Sequence, residues 1–235
     1  MSFLKAEWRK LALANYAVDP SILTKYIPAK TELDLWQGTC YVSLVGFMFL
    51  NTRLLGIPIP FHRNFEEVNL RFYVRHKENG VWKRGVVFVK EIVPRAAITW
   101  VANNLYHEHY QTMPMAHDWK SVNDHQEVQY RWKYKSEENE LILKAGSSLE
   151  EIEDESETEF ITEHYWGYTR VNDQTTSAYE VRHPRWQVYE VVDYGVKVNF
   201  GLLYGDEFDF LSHEKPKSVM LAEGSAITVE NKRNL

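Results

Sequence analysis

The chain lacks a second cysteine, a long apolar run and any targeting signal that its composition would reveal. Its one cysteine, Cys40, cannot form an internal disulfide, which favours a reducing compartment. No stretch reaches the ~18 apolar residues of a membrane span. Lys5, Glu7, Arg9 and Lys10 interrupt the N-terminal segment, so it has no continuous apolar leader core. We therefore expect a cytoplasmic protein with no membrane partner.

An excess of positive charge is also absent. The formal net charge is −6, and the basic pairs Arg9-Lys10 and Lys83-Arg84 are isolated, so no nucleic acid is expected as a partner. Aromatic residues are abundant by contrast, with 8 Trp, 14 Tyr and 11 Phe, which is ample material for a core or an apolar cavity. The expected partner is a small-molecule ligand, and association into a homo-oligomer stays open.

The common nucleotide-binding and hydrolase motifs are missing too. The chain contains no Gly-x-Gly-x-x-Gly, Walker loop or Gly-x-Ser-x-Gly elbow. His107 and His109 would share one face of a strand and are a conceivable metal-ligand pair, but no second cluster at ligand spacing accompanies them. A surface or helix-end position is the simpler interpretation. We expect neither a metal nor a cofactor.

The pattern of apolar residues predicts a mostly β chain with a few helices. Leu4, Trp8, Leu11, Ala12 and Tyr16 recur at helical spacing and predict an amphipathic helix. A short helix is predicted over 21–26 and another over 96–105. Strands are predicted over 39–50 and 219–229, and hairpins pair 65–75 with 85–93 (across Asn79-Gly80), 127–134 with 141–145, and 165–171 with 177–182. The acidic run 150–159 predicts a solvated loop, and 200–205 receives no assignment.

The most informative of these strands is 65–75. Val68, Leu70, Phe72 and Val74 occupy one face, while polar residues alternate with them on the other: Glu67, Asn69, Arg71, Tyr73 and Arg75. Neighbours on the polar face are about 7 Å apart, so Glu67 and Arg71 are too distant to pair along the strand. The polar face is either the solvated outside of a sheet or a polar stripe inside a barrel or cleft.

Four motifs in a fixed order carry a family resemblance. They are Glu67-x-Asn69-x-Arg71-x-Tyr73-Val74, Gly85-Val86-x-Phe88, a helix leading to Tyr110 and Met113, and His183-Pro184-x-Trp186. In this order the chain resembles the YqjF-like domain-of-unknown-function family of the acetoacetate decarboxylase-like superfamily. By itself, the His183-Pro184-x-Trp186 motif also fits a strand end held by a buried Trp.

The resemblance implies one mostly β domain over 1–235, a curved barrel-like sheet of mixed or antiparallel strands around an apolar cavity with a few peripheral helices. It implies that Glu67 lies in the cavity as a candidate acid or base. The candidate ligand-binding residues are Arg71, Asn69, Tyr73, Tyr110, His183 and Trp186.

One departure from the superfamily concerns its chemistry. Acetoacetate decarboxylases use a lysine that forms a Schiff base, and the family pattern places that lysine within 106–113. This chain has no lysine there, and Lys90 lies one strand earlier in a different register. Imine chemistry is therefore not expected.

Three functions remain. The first is a pocket protein that binds a small anionic or carbonyl compound against Arg71. The second is a lyase or hydrolase that uses Glu67 as general acid or base in an apolar setting. The third is a structural or interaction protein whose polar residues tie strands together.

Strand signals run from residue 39 to residue 229 without a linker, which predicts a single folding unit. Limited proteolysis should cut first in 150–159 or in the C-terminal tail and leave the rest intact, because exposed polar segments are cleaved most readily. Mass spectrometry of the fragments checks this. Recovery of two independently folded halves would contradict it.

Overall fold

The computed structural model describes residues 2–106 and 108–235, and within these ranges strands dominate. The strands are β1 (Leu4–Ala17), β2 (Glu32–Leu33), β3 (Tyr41–Leu54), β4 (Ile57–Pro58), β5 (Phe65–Glu78), β6 (Val81–Val93), β7 (Tyr110–Thr112), β8 (Met115–Val122), β9 (His125–Tyr134), β10 (Glu137–Glu151), β11 (Trp166–Arg170), β12 (Thr176–Arg182), β13 (Gln187–Lys197), β14 (Ser218–Val229) and β15 (Arg233–Asn234).

The helices are short and lie between strands. They are α1 (Pro20–Leu23), α2 (Ala96–Val101), α3 (Glu157–Thr162) and α4 (Phe200–Tyr204), with 3₁₀ segments at Thr24–Tyr26 and Asp206–Ser212 and a π turn at Ala102–Tyr106. None of the helices in the described part of the chain is long and apolar enough to cross a bilayer. Helix α4 occupies the stretch that received no assignment from the sequence.

The predicted N-terminal helix is wrong, because 4–17 forms the long strand β1. The register of β1 against β3 shifts between Arg9 and Ala12, and Lys10 adopts a φ of +53°. This bulge moves the inward side chains from even to odd positions, so Trp8 and Leu11 face the same cluster although they are three residues apart. A bulged strand thus imitates helical spacing.

Most of the other sequence assignments are confirmed. β5 and β6 form a hairpin across Asn79-Gly80, and both turn residues have positive φ (49° and 82°), as a tight two-residue turn requires. β9 pairs with β10, and β11 pairs with β12. The acidic run is only in part a loop, since β10 continues to Glu151 and α3 starts at Glu157.

All fifteen strands of the described ranges belong to one sheet. Its path runs β12-β11-β6-β5-β3-β1-β14, and β14 pairs again with β12, so this part of the sheet curves back on itself. The β6–β11 and β12–β14 pairings comprise two residue pairs each, which makes this a curved sheet rather than a regular barrel. Strands β13, β10, β9 and β8 extend the sheet beyond β14. We propose that the whole chain is one domain.

Two hydrophobic clusters lie on opposite faces of β5. Leu70, Phe72 and Val74 belong to the larger cluster and are fully buried, whereas Phe65 and Tyr73 belong to the cluster inside the curve. The predicted apolar face of β5 is therefore a core face. Its polar face points into the curve, not into solvent.

Close packing between β3 and β9 explains the glycine at position 46. A Cβ atom on Gly46 would lie 2.8 Å from Cδ2 of Tyr130. Tyr130 is fully buried, and its hydroxyl group donates a hydrogen bond to the Lys10 carbonyl oxygen at 2.8 Å. The ring therefore has little freedom to move away.

We expect Gly46→Ala to lower the free energy of unfolding by roughly 1–3 kcal/mol through overpacking. Gly146→Ala is the matched control, since a Cβ there meets no atom within 4 Å and the substitution should be close to neutral. Urea denaturation of both variants measures the difference. Equal stabilities for the two would contradict the packing account.

Candidate functional site

A cavity of about 230 Å³ lies inside the curved part of the sheet. Its walls are mainly apolar and are formed by side chains of β1, β3, β5, β6 and α2, including Trp8, Phe47, Phe49, Phe65 and Phe88. Polar side chains interrupt this lining at one end. They come from β5, β6, β7 and the segments after α2 and α3, and comprise Glu67, Asn69, Arg71, Glu91, Glu108, Tyr110 and His164.

Glu67 stands at the centre of the polar end and is 2% exposed. Its Oε1 accepts a hydrogen bond from Asn69 Nδ2 at 3.0 Å, and its Oε2 accepts one from the Tyr110 hydroxyl group at 3.0 Å. Burial raises the pKa of Glu67 to about 7, against the lowering effect of these hydrogen bonds, and the nearby Glu108 raises it further. Glu67 therefore exchanges a proton near neutral pH.

Two further glutamates, which sequence reasoning missed, join Glu67. Glu91 lies opposite Asn69 in the β5–β6 pairing, and its Oε2 is buried without a partner among the described residues. Glu108 Oε1 accepts a hydrogen bond from Thr169 Oγ1 at 2.8 Å. A carboxylate within the largely apolar stretch 85–93 of β6 was the available signal for Glu91. No pattern in the sequence pointed to Glu108 beyond its place between two histidines.

The three carboxyl groups favour bound protons. Burial first, and then the charges of Glu108 and Glu67, raise the pKa of Glu91 well above its usual value. Burial also raises the pKa of Glu108 to about 7, against hydrogen bonds from Thr169 and Tyr179. Carboxyl groups that are partly protonated near neutral pH can both donate and accept protons. The site is therefore suited to acid–base chemistry or to binding polar ligand atoms.

Arg71 is the cation of the cavity and is 8% exposed. Its Nη2 donates to the Ile161 carbonyl oxygen at 3.3 Å, and its Nε is buried without a hydrogen-bond partner in the described part of the chain. Among the described residues, no carboxylate oxygen lies within 4 Å of its guanidinium nitrogens, so Glu67 does not form an ion pair with it. The guanidinium is thus available to a ligand.

Three other residues that the sequence predicted for the site, Tyr73, His183 and Trp186, lie behind the cavity lining. Tyr73 lies beneath Arg71, with its hydroxyl group 2.6 Å from Ser43 Oγ, and it does not line the cavity. His183 stacks on Trp186 at 4.2 Å between ring centres. Trp186 in turn packs edge-on against the wall residue Trp8, so His183 and Trp186 support the wall from behind.

Lys90 and the histidine pair lie apart from this chemistry. Lys90 donates a hydrogen bond to the Leu203 carbonyl oxygen and does not line the cavity. His107 lies outside the described residues. Within 2–106 and 108–235, no group of three His, Cys, Asp or Glu side chains is arranged to hold a metal ion.

His164 and Asp34 are the second pair that the sequence did not reveal. His164 lines the cavity, and its Nε2 lies 3.2 Å from Asp34 Oδ2. The two residues are 130 positions apart, so no local pattern could connect them.

The raised pKa values predict how stability depends on pH. Between about pH 4.5, the unfolded pKa of Glu67, and about pH 7, the folded state holds more protons than the unfolded state at Glu67 and Glu108, and fewer at His164 and His183, whose pKa burial lowers to about 4. The contribution of Glu67 to the free energy of unfolding should therefore be highest below this window and should fall as the pH rises through it, by on the order of 1 kcal/mol per pH unit. Urea denaturation at several pH values measures this slope.

Glu67→Gln should lack this contribution, because glutamine does not titrate, so the stability of the unmodified chain relative to this variant should fall as the pH rises through the window. Glu138→Gln, at the exposed start of β10, is the control and should keep the slope of the unmodified chain. Equal slopes for both variants, or a stability of Glu67→Gln that falls more steeply than that of the unmodified chain, would contradict the assignment.

Solved structures with a similar fold include several decarboxylase-like proteins. Acetoacetate decarboxylase from Legionella pneumophila has a TM-score of 0.67 at 12% identity, over 99% of this chain and 86% of that one. The enduracididine biosynthesis enzyme MppR, complexed with the condensation product of pyruvate and imidazole 4-carboxaldehyde, has a TM-score of 0.68 at 10% identity, over 100% and 90%. An acetoacetate decarboxylase-like enzyme from Sphingomonas wittichii RW1 has a TM-score of 0.65 at 9% identity, over 100% and 94%. The chain therefore has an acetoacetate decarboxylase-like fold, as its sequence motifs implied.

Sequence comparison identifies the family. The chain is 28% identical over 187 residues to the uncharacterized protein YqjF of Bacillus subtilis (strain 168), a match that covers 78% of this chain and 74% of that protein. The model of the DUF2071 family, described as an uncharacterized conserved protein, matches residues 5–226. The YqjF-like resemblance of the sequence motifs is thereby confirmed, and the chain belongs to the DUF2071 family.

Proposed function

We propose that this protein binds a small organic acid or carbonyl compound in the cavity, with Arg71 as the anion-binding group. The observation that supports the proposal best is the state of Arg71. It is buried and lines the cavity, and it lacks an ion-pair partner among the described residues although three glutamates share the cavity. A buried charge without a partner costs several kcal/mol. A ligand carboxylate or carbonyl oxygen would offset part of that cost.

The shape and lining of the cavity favour a small, partly apolar ligand. Its volume of about 230 Å³ lies below the ~300–1,000 Å³ typical of pockets for drug-sized molecules. The aromatic walls suit a short hydrocarbon chain, while the polar end holds Arg71, Asn69 and Tyr110. A short-chain acid placed with its carboxylate at Arg71 matches both parts.

The glutamates are compatible with an anionic ligand because they favour the protonated form. Burial raises the pKa of Glu91 well above its usual value and those of Glu67 and Glu108 to about 7. Below neutral pH the cavity would therefore be net positive. Binding of an acid should weaken as the pH rises and the glutamates ionise.

A second candidate function is catalysis with Glu67 as general acid or base. Its pKa near 7 and its hydrogen bond from Tyr110 favour this role, because a catalytic acid or base works best near the operating pH. Structures of the same fold include one named as an acetoacetate decarboxylase and one named as a pyruvate complex of MppR. No lysine lines the cavity in the described ranges, so proton transfer without an imine is the chemistry we infer.

The purely structural alternative has less support. A filled interior would leave few unsatisfied polar atoms, whereas Asn69 Oδ1, Arg71 Nε and Glu91 Oε2 are all buried without partners among the described residues. These atoms are the groups that a bound ligand would satisfy.

We expect Arg71→Met to weaken binding of hexanoate at least tenfold, because it removes the charge from a cavity of nearly the same shape. Isothermal titration calorimetry at about pH 6 measures the affinity. Arg75→Met is the matched control: Arg75 is on the same strand face but pairs with Glu32 and does not line the cavity. It should bind hexanoate like the unmodified protein.

Two results would contradict the proposal. One is failure of the unmodified protein to bind hexanoate, pyruvate or any other small carboxylate in such a titration. The other is equal affinity for the same acid in Arg71→Met and Arg75→Met, which would make Arg71 a structural residue.

A further inference from the structure

His164 lines the cavity and has a buried ring nitrogen without a hydrogen-bond partner among the described residues. Its side chain is almost fully buried between α3 and β11, and its Nδ1 has no hydrogen-bond partner in the described part of the chain. Its other nitrogen, Nε2, faces Asp34 Oδ2 at 3.2 Å, and Arg84 Nε donates to the same oxygen at 2.6 Å. An ionised carboxylate only accepts hydrogen bonds, so Nε2 carries the proton and Nδ1 carries the lone pair.

The surroundings keep this imidazole neutral. Burial disfavours the imidazolium form, and the cations Arg84 and Arg71 oppose it further, while Asp34 favours it; together they lower the pKa of His164 to about 4. Near neutral pH, Nδ1 is therefore a hydrogen-bond acceptor and not a donor.

His164 and Arg71 both contact one aromatic ring, that of Tyr73. The guanidinium carbon of Arg71 is 5.6 Å from the ring centre of Tyr73, and the His164 ring centre is 4.7 Å from it. Arg71 also donates to the carbonyl oxygen of Ile161, three residues before His164. Among the described residues, an unpaired donor, Arg71 Nε, and an unpaired acceptor, His164 Nδ1, thus belong to two residues that both contact Tyr73 and both line the cavity.

We infer that His164 Nδ1 accepts a hydrogen bond from a ligand hydroxyl group while Arg71 binds the carboxylate of the same molecule, so that the site selects hydroxy acids over unsubstituted acids. This inference rests on the proposed function and names its ligand class. Asp34 is a positioning residue, because it sets the tautomer of His164. An ammonium group would also donate to Nδ1, but it would stand next to Arg71 and near Arg84, which repel it.

The ligand test compares acids that differ in one group. Titration calorimetry with hexanoate, 2-hydroxyhexanoate, 3-hydroxyhexanoate and norleucine should show one of the hydroxy acids binding about tenfold more tightly than hexanoate, as one well-formed buried hydrogen bond would give. Norleucine should bind no better than hexanoate. His164→Phe should abolish the preference, so that the hydroxy acids bind no more tightly than hexanoate.

Asp34→Asn tests the tautomer. The Asn oxygen can accept from both Arg84 and His164 Nε2, as Asp34 Oδ2 does, so the preference for the hydroxy acid should persist in this variant. Asp34→Ala removes the acceptor that fixes the proton on Nε2, so the preference should shrink there. Nitrogen-15 NMR of the unliganded protein should show Nε2 protonated in the unmodified chain and in Asp34→Asn, and both tautomers in Asp34→Ala. His76→Phe is the control and should change neither readout, since His76 does not line the cavity.

The outcomes separate this inference from the proposed function. If hexanoate binds and Arg71→Met abolishes its binding, but hydroxy acids show no preference or keep it in His164→Phe, the inference is overturned and the proposed function stands. If no acid binds, both the inference and the proposed function are contradicted. A protonated Nδ1 in the unmodified chain, or norleucine as the tightest ligand, overturns the inference even where a variant fails to fold.

Discussion

The two-residue alternation of β5 is the constraint on which the site depends. The apolar residues from Val68 to Val74 that alternate along this strand pack into the larger core cluster, and the polar residues between them must then point into the curve of the sheet. Rotating β5 to expose Arg71 would bring Leu70 and Phe72 out of the core, at about 1.5–3 kcal/mol for each side chain. The core thus holds Glu67 and Arg71 inside the cavity.

Desolvation determines the electrostatics of the cavity. Removing a carboxyl group from water penalises its charged form, so three neighbouring glutamates keep protons that they would lose in solution. Arg71 supplies a guanidinium group, and His164, oriented by Asp34, stays neutral. The cavity therefore offers a fixed cation, a fixed acceptor and several exchangeable protons. This combination suits the binding of an organic acid. It would also allow Glu67 to transfer a proton to or from that ligand.

The sequence predicted regular elements well where alternation was undisturbed. The β5–β6 hairpin followed from its pattern and from Asn79-Gly80, whose left-handed conformations suit the turn. Prediction from the sequence pattern failed for β1, where the bulge at Lys10 shifted the alternation by one residue and produced helical spacing. A bulge depends on pairing with a neighbouring strand, which no local window contains.

The sequence by itself determined that Glu67, Asn69 and Arg71 share one side of a strand, because side-chain direction in a strand depends only on position along it. Only the tertiary structure decided that this side encloses a cavity and that Glu91 and Glu108 join it. It also separated residues that the motifs had grouped, since Tyr73 and Trp186 lie behind the lining. Strand pairing and sheet curvature bring distant positions such as Asp34 and His164 together, and these contacts depend on packing across the whole fold rather than on sequence spacing.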